Sequence, residues 1–177
     1  RLVINMSNMF YLCHSLSSLN INNFITSQVE NMSYLFFSCN ALVSLNISSF
    51  ETSKVTNLSY AFGECSSLSD LDVSHFNTRK VLDMSGIFSS CSSITSLNIK
   101  NFETSEVRNM SSMFANCNKL LLLDLSNFKT AQVTDMSYMF EYCSSLTSIN
   151  LSSFNTDKVN SMIKMFRFCS SLKELNI

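Results

Sequence analysis

The chain of 177 residues contains no proline and no tryptophan, and only 2 glycines. Its turns therefore rest on Asn, Ser, Thr and Asp, whose side chains bond nearby backbone and tolerate turn conformations. Charge is scarce as well. Charged residues make up 14% of the chain, and 12 Lys plus Arg nearly cancel 13 Asp plus Glu. A balance this close to neutral offers no electrostatic footprint for nucleic acid or for an anionic membrane surface. No stretch approaches the ~18 consecutive apolar residues of a membrane span, so no membrane insertion is expected. Histidine occurs only at His14 and His75. A nucleophile and base at repeated positions are thus unsupported, and no catalytic residue, cofactor or metal set is expected. The opening residues "RLVINMSNMF" already share the pattern of later segments, so no signal peptide or lipid-attachment motif is expected within them.

What the chain has in quantity is self-similarity. The 7 cysteines, Cys13, Cys39, Cys65, Cys91, Cys117, Cys143 and Cys169, fall on one register with a period of 26 residues. Phe24, Phe50, Phe76, Phe102, Phe128 and Phe154 share a second register. Phe10, Phe36, Phe62, Phe88, Phe114, Phe140 and Phe166 share a third. All 10 Met occupy the two registers that contain Met136 and Met139. A repeat of this length is the signature of a solenoid, in which each unit buries its apolar face only against its neighbours. Residues 1–177 are accordingly read as a single repeat domain.

Within one unit the apolar period changes. Leu68, Leu71 and Val73 form an L-x-x-L-x-L-like pattern, in which alternation marks a short inward-facing strand. Parallel strands are expected near 18–21, 44–47, 70–73, 96–99, 122–125, 148–151 and 174–177. Met136, Met139, Phe140 and Cys143 stand at i, i+3, i+4 and i+7, which is one face of a short helix. Short helices are expected near 33–39, 59–65, 85–91, 111–117 and 137–143, with Asn or Asp at 31, 57, 83, 109 and 135 as caps. Val133 is read as part of a second short extended piece before that cap, in preference to an earlier helical turn led by Thr130. The fold class is therefore α/β: about seven coils of a leucine-rich-repeat-like solenoid, with a parallel sheet on one face and short helices on the other.

The stretch "VTDMSYMFEYCSSLTSINLSSFNT" resembles the 26-residue bacterial surface protein repeat, a relative of BspA-like leucine-rich repeats found in surface lipoproteins of mycoplasmas and Listeria. Val133, Asp135, Met136, Met139, Phe140, Cys143, Leu146, Ile149, Leu151 and Phe154 carry the likeness, which covers essentially the whole chain. The resemblance implies a solenoid displayed outside the cell or at its surface, and an adhesive role towards a protein or glycan. It implies no enzymatic activity.

The inward registers are committed to packing. Buried, reduced Cys serves as a small apolar side chain. A disulfide ladder would need Cβ atoms closer than stacked rungs allow. The Met and Phe registers read as core rather than as a ligand box. Outward residues are left for recognition. Asn46, Asp72, Asn98, Asp124 and Asn150 alternate with inward residues and so face out from the sheet. The reading without a partner makes them an amide ladder that solvates the sheet. The functional reading makes them a binding surface centred on Asp70, Asp72, Asn98, Leu122 and Asp124. Leu122 interrupts an otherwise polar register beside Leu121, and one of the two is expected to leave the core as a contact anchor. Asp70 and Asp72 supply too few oxygens for a calcium site. Asn-x-Ser sequons at Asn5, Asn31, Asn46, Asn57, Asn109 and Asn150 follow from the repeat, and several are expected to cap backbone. Two other roles compete with recognition. One is a structural unit that stacks end to end through Val3, Met6, Leu172 and Leu175. The other is an intracellular scaffold, which would suit the many thiols.

Overall fold

The computed structural model describes residues 2–177. Parallel bridges join Asn5, Asn31, Asn57, Asp83, Asn109, Asp135 and Ser161 into one unbroken ladder. Each rung opens one coil, numbered here from first to seventh. The ladder is the second extended piece anticipated around Val133, displaced towards Thr134 and Asp135. Val133 itself closes a turn, its N–H bonding the Thr130 carbonyl at 2.9 Å.

The segments expected to be helical are not. Among the described residues there is no helix. The N–H groups of Met32, Tyr34, Phe36 and Ser38 donate to the carbonyls of Asn57, Ser59, Ala61 and Gly63 in the next coil, at 2.8–3.0 Å. The intervening amides of Leu35, Phe37 and Cys39 bond back by three residues, to Met32, Tyr34 and Phe36, at 3.1–3.3 Å. The result is a ribbon of overlapping turns that stacks coil on coil. Two residues in every coil adopt left-handed backbone with φ of 52–61°, from Asn8 and Leu12 to Lys164 and Phe168. That conformation costs an L-residue ~1–2 kcal/mol. Only at Gly86 does a glycine hold it. Elsewhere the bonds between coils offset the strain. A helix would instead have turned these amides inward along its own axis. The ribbon and a helix place the same residues inward, which is why the spacing did not separate them. The cap chemistry survives in altered form. Asn31, Asn57, Asp83, Asn109 and Asp135 each accept the N–H two residues on, at 2.8–3.0 Å, and open the ribbon.

The leucine strands are parallel, as expected, but short and discontinuous. β1 (Ser44–Leu45) pairs with β2 (Asp70–Leu71), and β3 (Ser148–Asn150) with β4 (Glu174–Asn176). A single bridge joins Ser96 to Leu122. No strand forms at 18–21. Ser69, Leu121 and Lys173 donate backbone bonds to Val43, Thr95 and Thr147. The equivalent bonds from Thr95 to Ser69 and from Thr147 to Leu121 are not made, so pairing holds at alternate junctions.

The core runs between ribbon and strands from Met6 to Met165. Phe10, Phe36, Phe62, Phe88, Phe114, Phe140 and Phe166 stack face to face at 5.4–6.0 Å between centroids. All seven cysteines are free thiols; Cys13 and Cys169 are half-buried rather than buried. Each thiol from Cys39 to Cys169 donates to a carbonyl 29 residues earlier, Phe10 through Phe140, at 3.0–3.2 Å. The thiol is thus a donor as well as a small apolar group. Burial pushes Cys39 up to about 11 and Cys65 and Cys117 up to about 12.

A threonine register adds a further clasp that sequence reasoning missed. The hydroxyl of Thr78 donates to the carbonyl of Glu103 at 3.0 Å and accepts that residue's own N–H at 2.7 Å. Thr26, Thr52, Thr104 and Thr130 do the same for Glu51, Asn77, Lys129 and Asn155. All five are buried. Each hydroxyl satisfies the N–H and the C=O of a single residue in the next coil.

Candidate functional site

With the inner registers filled, recognition can fall only on outward ones. On the sheet face, Asp70 opens β2 opposite Ser44. Asp72 follows it, and its carboxylate accepts the Ser74 N–H at 2.9 Å. The Ser74 hydroxyl and amide hold that carboxyl below its ordinary range. Asp124 repeats the arrangement with Ser126, whose N–H and hydroxyl lie at 3.1 and 2.7 Å. Ser126 lowers its pKa, and Lys100 contributes. Part of the polar register thus closes turns of its own coils.

Leu121 and Leu122 both leave the core, 50% and 67% exposed, where one was expected to remain. The backbone bond from Leu121 to Thr95 and the bridge of Leu122 to Ser96 hold this stretch flat against the fourth coil. Leu120 and Leu125 fill the inward places on either side.

Leu122 and Asp124 line an open groove of about 910 Å³ that runs over the fourth to seventh coils. Asn98, Asp70 and Asp72 do not line it. The structure therefore divides the five candidate residues, and the concavity lies further along the chain than the acidic pair suggested. Lys100, Lys173, Glu174 and Leu175 also enter the groove. Leu175 was assigned from sequence to end-to-end contacts instead, and the two lysines were missed because each departs from its register individually, which a consensus averages away.

The ribbon side carries a different surface. Tyr11 stacks on Phe37 at 5.2 Å and Tyr34 on Tyr60 at 5.1 Å, with Tyr34 and Phe37 edge to face at 5.4 Å. Both glycines of the chain lie beneath this cluster. A Cβ on Gly86 would meet the Tyr60 ring at 2.2 Å, and one on Gly63 would meet Phe37 at 3.0 Å. The rings pack against one another and leave no cage between them.

At the same end, His14 Nδ1 lies 3.0 Å from the Ser38 carbonyl and 2.6 Å from Asn40 Oδ1. The Ser38 hydroxyl donates to Glu64 at 3.0 Å. This set contains serine, histidine and carboxylate, but the hydroxyl is buried and already bonded to the acid. The imidazole nitrogen faces acceptors and so carries the proton. The arrangement bonds three coils together, and the Ser38 hydroxyl lies on the protonated Nδ1 side of the ring, so the two do not form a nucleophile–base pair. All six sequon asparagines turn out to accept the N–H two residues on, at 2.8–3.1 Å. Their side-chain oxygens are thereby used in turns.

The family described as "Mycoplasma protein of unknown function, DUF285" matches residues 4–121 and 82–176. No curated protein matches the chain. Among solved structures, the leucine-rich repeat protein of T. pallidum is similar at 20% identity and a TM-score of 0.50, over 81% of this chain and 60% of that one. A leucine-rich repeat protein from Bacteroides ovatus matches 98% of this chain and 58% of its own, at 17% identity and a TM-score of 0.45. The chain thus spans well under two thirds of either protein. The first likeness shows the fold, a leucine-rich-repeat solenoid.

Proposed function

The chain belongs to the Mycoplasma family of unknown function DUF285, and we propose that it is a non-enzymatic recognition module, displayed outside the cell, that binds a protein or glycan along its sheet face. The observation that carries this is the groove, which sets an exposed Leu122 among polar and charged side chains while every inward register is consumed by packing. Solenoids offer extended faces of this kind to partners. The test compares the wild-type chain with the Leu122→Lys, Glu174→Lys double variant on arrays of cell-surface proteins and of glycans. Loss of binding in the variant, with an unchanged melting curve, supports the reading. Equal binding by both proteins removes it. Location is tested by labelling intact cells with an antibody to the chain; signal only after permeabilisation contradicts surface display.

A further inference from the structure

We infer that the occupant of the sheet-face groove is an extended polypeptide segment, with an aliphatic side chain seated on Leu122 and charged residues of both signs beside it. The inference rests on the recognition reading and narrows it from protein or glycan to polypeptide.

The lining decides the chemistry. Leu122 stands 67% exposed, Leu175 is 44% exposed, and the half-buried Leu97 and Leu123 complete an aliphatic floor. No aromatic ring lines the groove. A sugar ring presents a flat C–H face that is best met by a flat aromatic face, and branched aliphatic side chains cannot supply one. They pack well against other aliphatic side chains. The chain does possess exposed aromatics, but Tyr11, Tyr142 and Phe168 lie on the ribbon side and none lines the groove.

The rim adds the second argument. Lys100 and Lys173 contribute positive charge, and Asp124 and Glu174 negative charge. Among the described residues the sole ion pair joins Arg167 to Glu141, so all four rim charges are unpaired. Two ammonium groups and two carboxylates around an apolar floor complement a segment that alternates in sign. They do not complement a uniformly anionic chain such as a nucleic acid or a sulfated polysaccharide. The backbone beneath adds polar capacity, because the strands of the fifth and sixth coils are not bonded to each other between Leu121 and Thr147.

The experiment uses the intact 177-residue chain, fluorescently labelled, on an array of synthetic 12-residue peptides and in parallel on a glycan array. The peptides vary a central residue among Leu, Ile, Val, Ser and Gly, with acidic, basic, mixed or neutral flanks. Selective retention of peptides with an aliphatic centre and mixed flanks is expected. Leu122→Lys should weaken their binding at least tenfold with an unchanged melting curve. Asp124→Lys with Lys173→Glu should shift preference among flanks without abolishing binding. Absence of peptide binding, or peptide binding indifferent to Leu122→Lys, overturns the inference. Glycan binding that Leu122→Lys abolishes shows the face to be right and the occupant wrong. If nothing retained on either array responds to Leu122→Lys or Glu174→Lys, the recognition reading falls with it.

Discussion

Two small side chains do unexpected work at the residue scale. A consensus shows Thr78 as an ordinary polar position, yet its hydroxyl serves both backbone polar groups of Glu103 while fully buried. Thr78→Val keeps the shape and removes both part-buried bonds. A loss of ~2 kcal/mol is expected from two such bonds, read as a shift in urea midpoint; Thr78→Ser should recover most of it. The cysteine register is the converse case. Cys91→Ala removes a small buried group and a weak S–H donor, for a cost of ~1–2 kcal/mol, whereas Phe88→Ala breaks the ring stack at a cost of ~3–5 kcal/mol. Alkylation of the native protein under non-reducing conditions should modify no thiol between Cys39 and Cys143 until unfolding. Mass shifts indicating disulfides would contradict the packing account.

The element scale shows an unequal pair of ladders. The ribbon is bonded across every junction, with Met84, Gly86, Phe88 and Ser90 each donating to the following coil. The leucine strands are bonded only at alternate junctions. Stability within a fold is not uniform, and amides without partners exchange by the smallest openings. Hydrogen exchange should therefore find Thr95 and Thr147 fast, Ser69, Leu121 and Lys173 slower, and the ribbon amides of the third to fifth coils slowest. Equal protection of Thr147 and Leu121 would mean that the strand ladder is continuous. Most of the repeat's organisation could be read from sequence because apolar registers must face inward wherever the chain goes. The choice of ribbon over helix could not, since Met136, Met139, Phe140 and Cys143 are the inward set of both. What decides it is the destination of alternate amides, and Tyr138 and Tyr142 in left-handed backbone give no compositional hint of that. The candidate site was half legible: Leu122 was visible as a break in a register and Asp124 as an outward member of the Asn/Asp register, while Lys100 and Lys173 matter only because stacking brings four coils to one groove.

Over the whole molecule, stacking the same residue in every coil concentrates one chemistry along the axis. The buried thiols make stability depend on alkaline pH. Unfolded, a thiol ionises near ~8.5; folded, Cys65 and Cys117 are held protonated up to about 12. Their folded values are raised, so their contribution is complete below pH ~8.5 and is lost as pH rises towards 12, at about 1.4 kcal/mol per pH unit for each thiol. Tyr34, raised mainly by burial, acts in the same direction. The urea midpoint should fall steeply between pH 8.5 and 10.5. Replacing Cys65 and Cys117 by Ala should flatten that slope even though it lowers stability at neutral pH. An unchanged slope would place the alkaline sensitivity elsewhere.

The sequence by itself determined the 26-residue period, the inward registers of Phe, Met, Leu and Cys, the parallel stacking, and the turn-forming role of Asn and Asp. Each follows from burial and local bonding, which depend on residue type and spacing alone. Only the tertiary structure decided how the backbone between those residues is satisfied. Bonds from Met32 to Asn57, from Cys91 to Phe62 and from Thr78 to Glu103 join residues 25 to 29 apart. Such bonds are invisible within one repeat, because each coil supplies the partners that its neighbour lacks. The groove has the same origin: Leu122 and Leu175 share one surface only because two coils' worth of chain between them winds back to the same face.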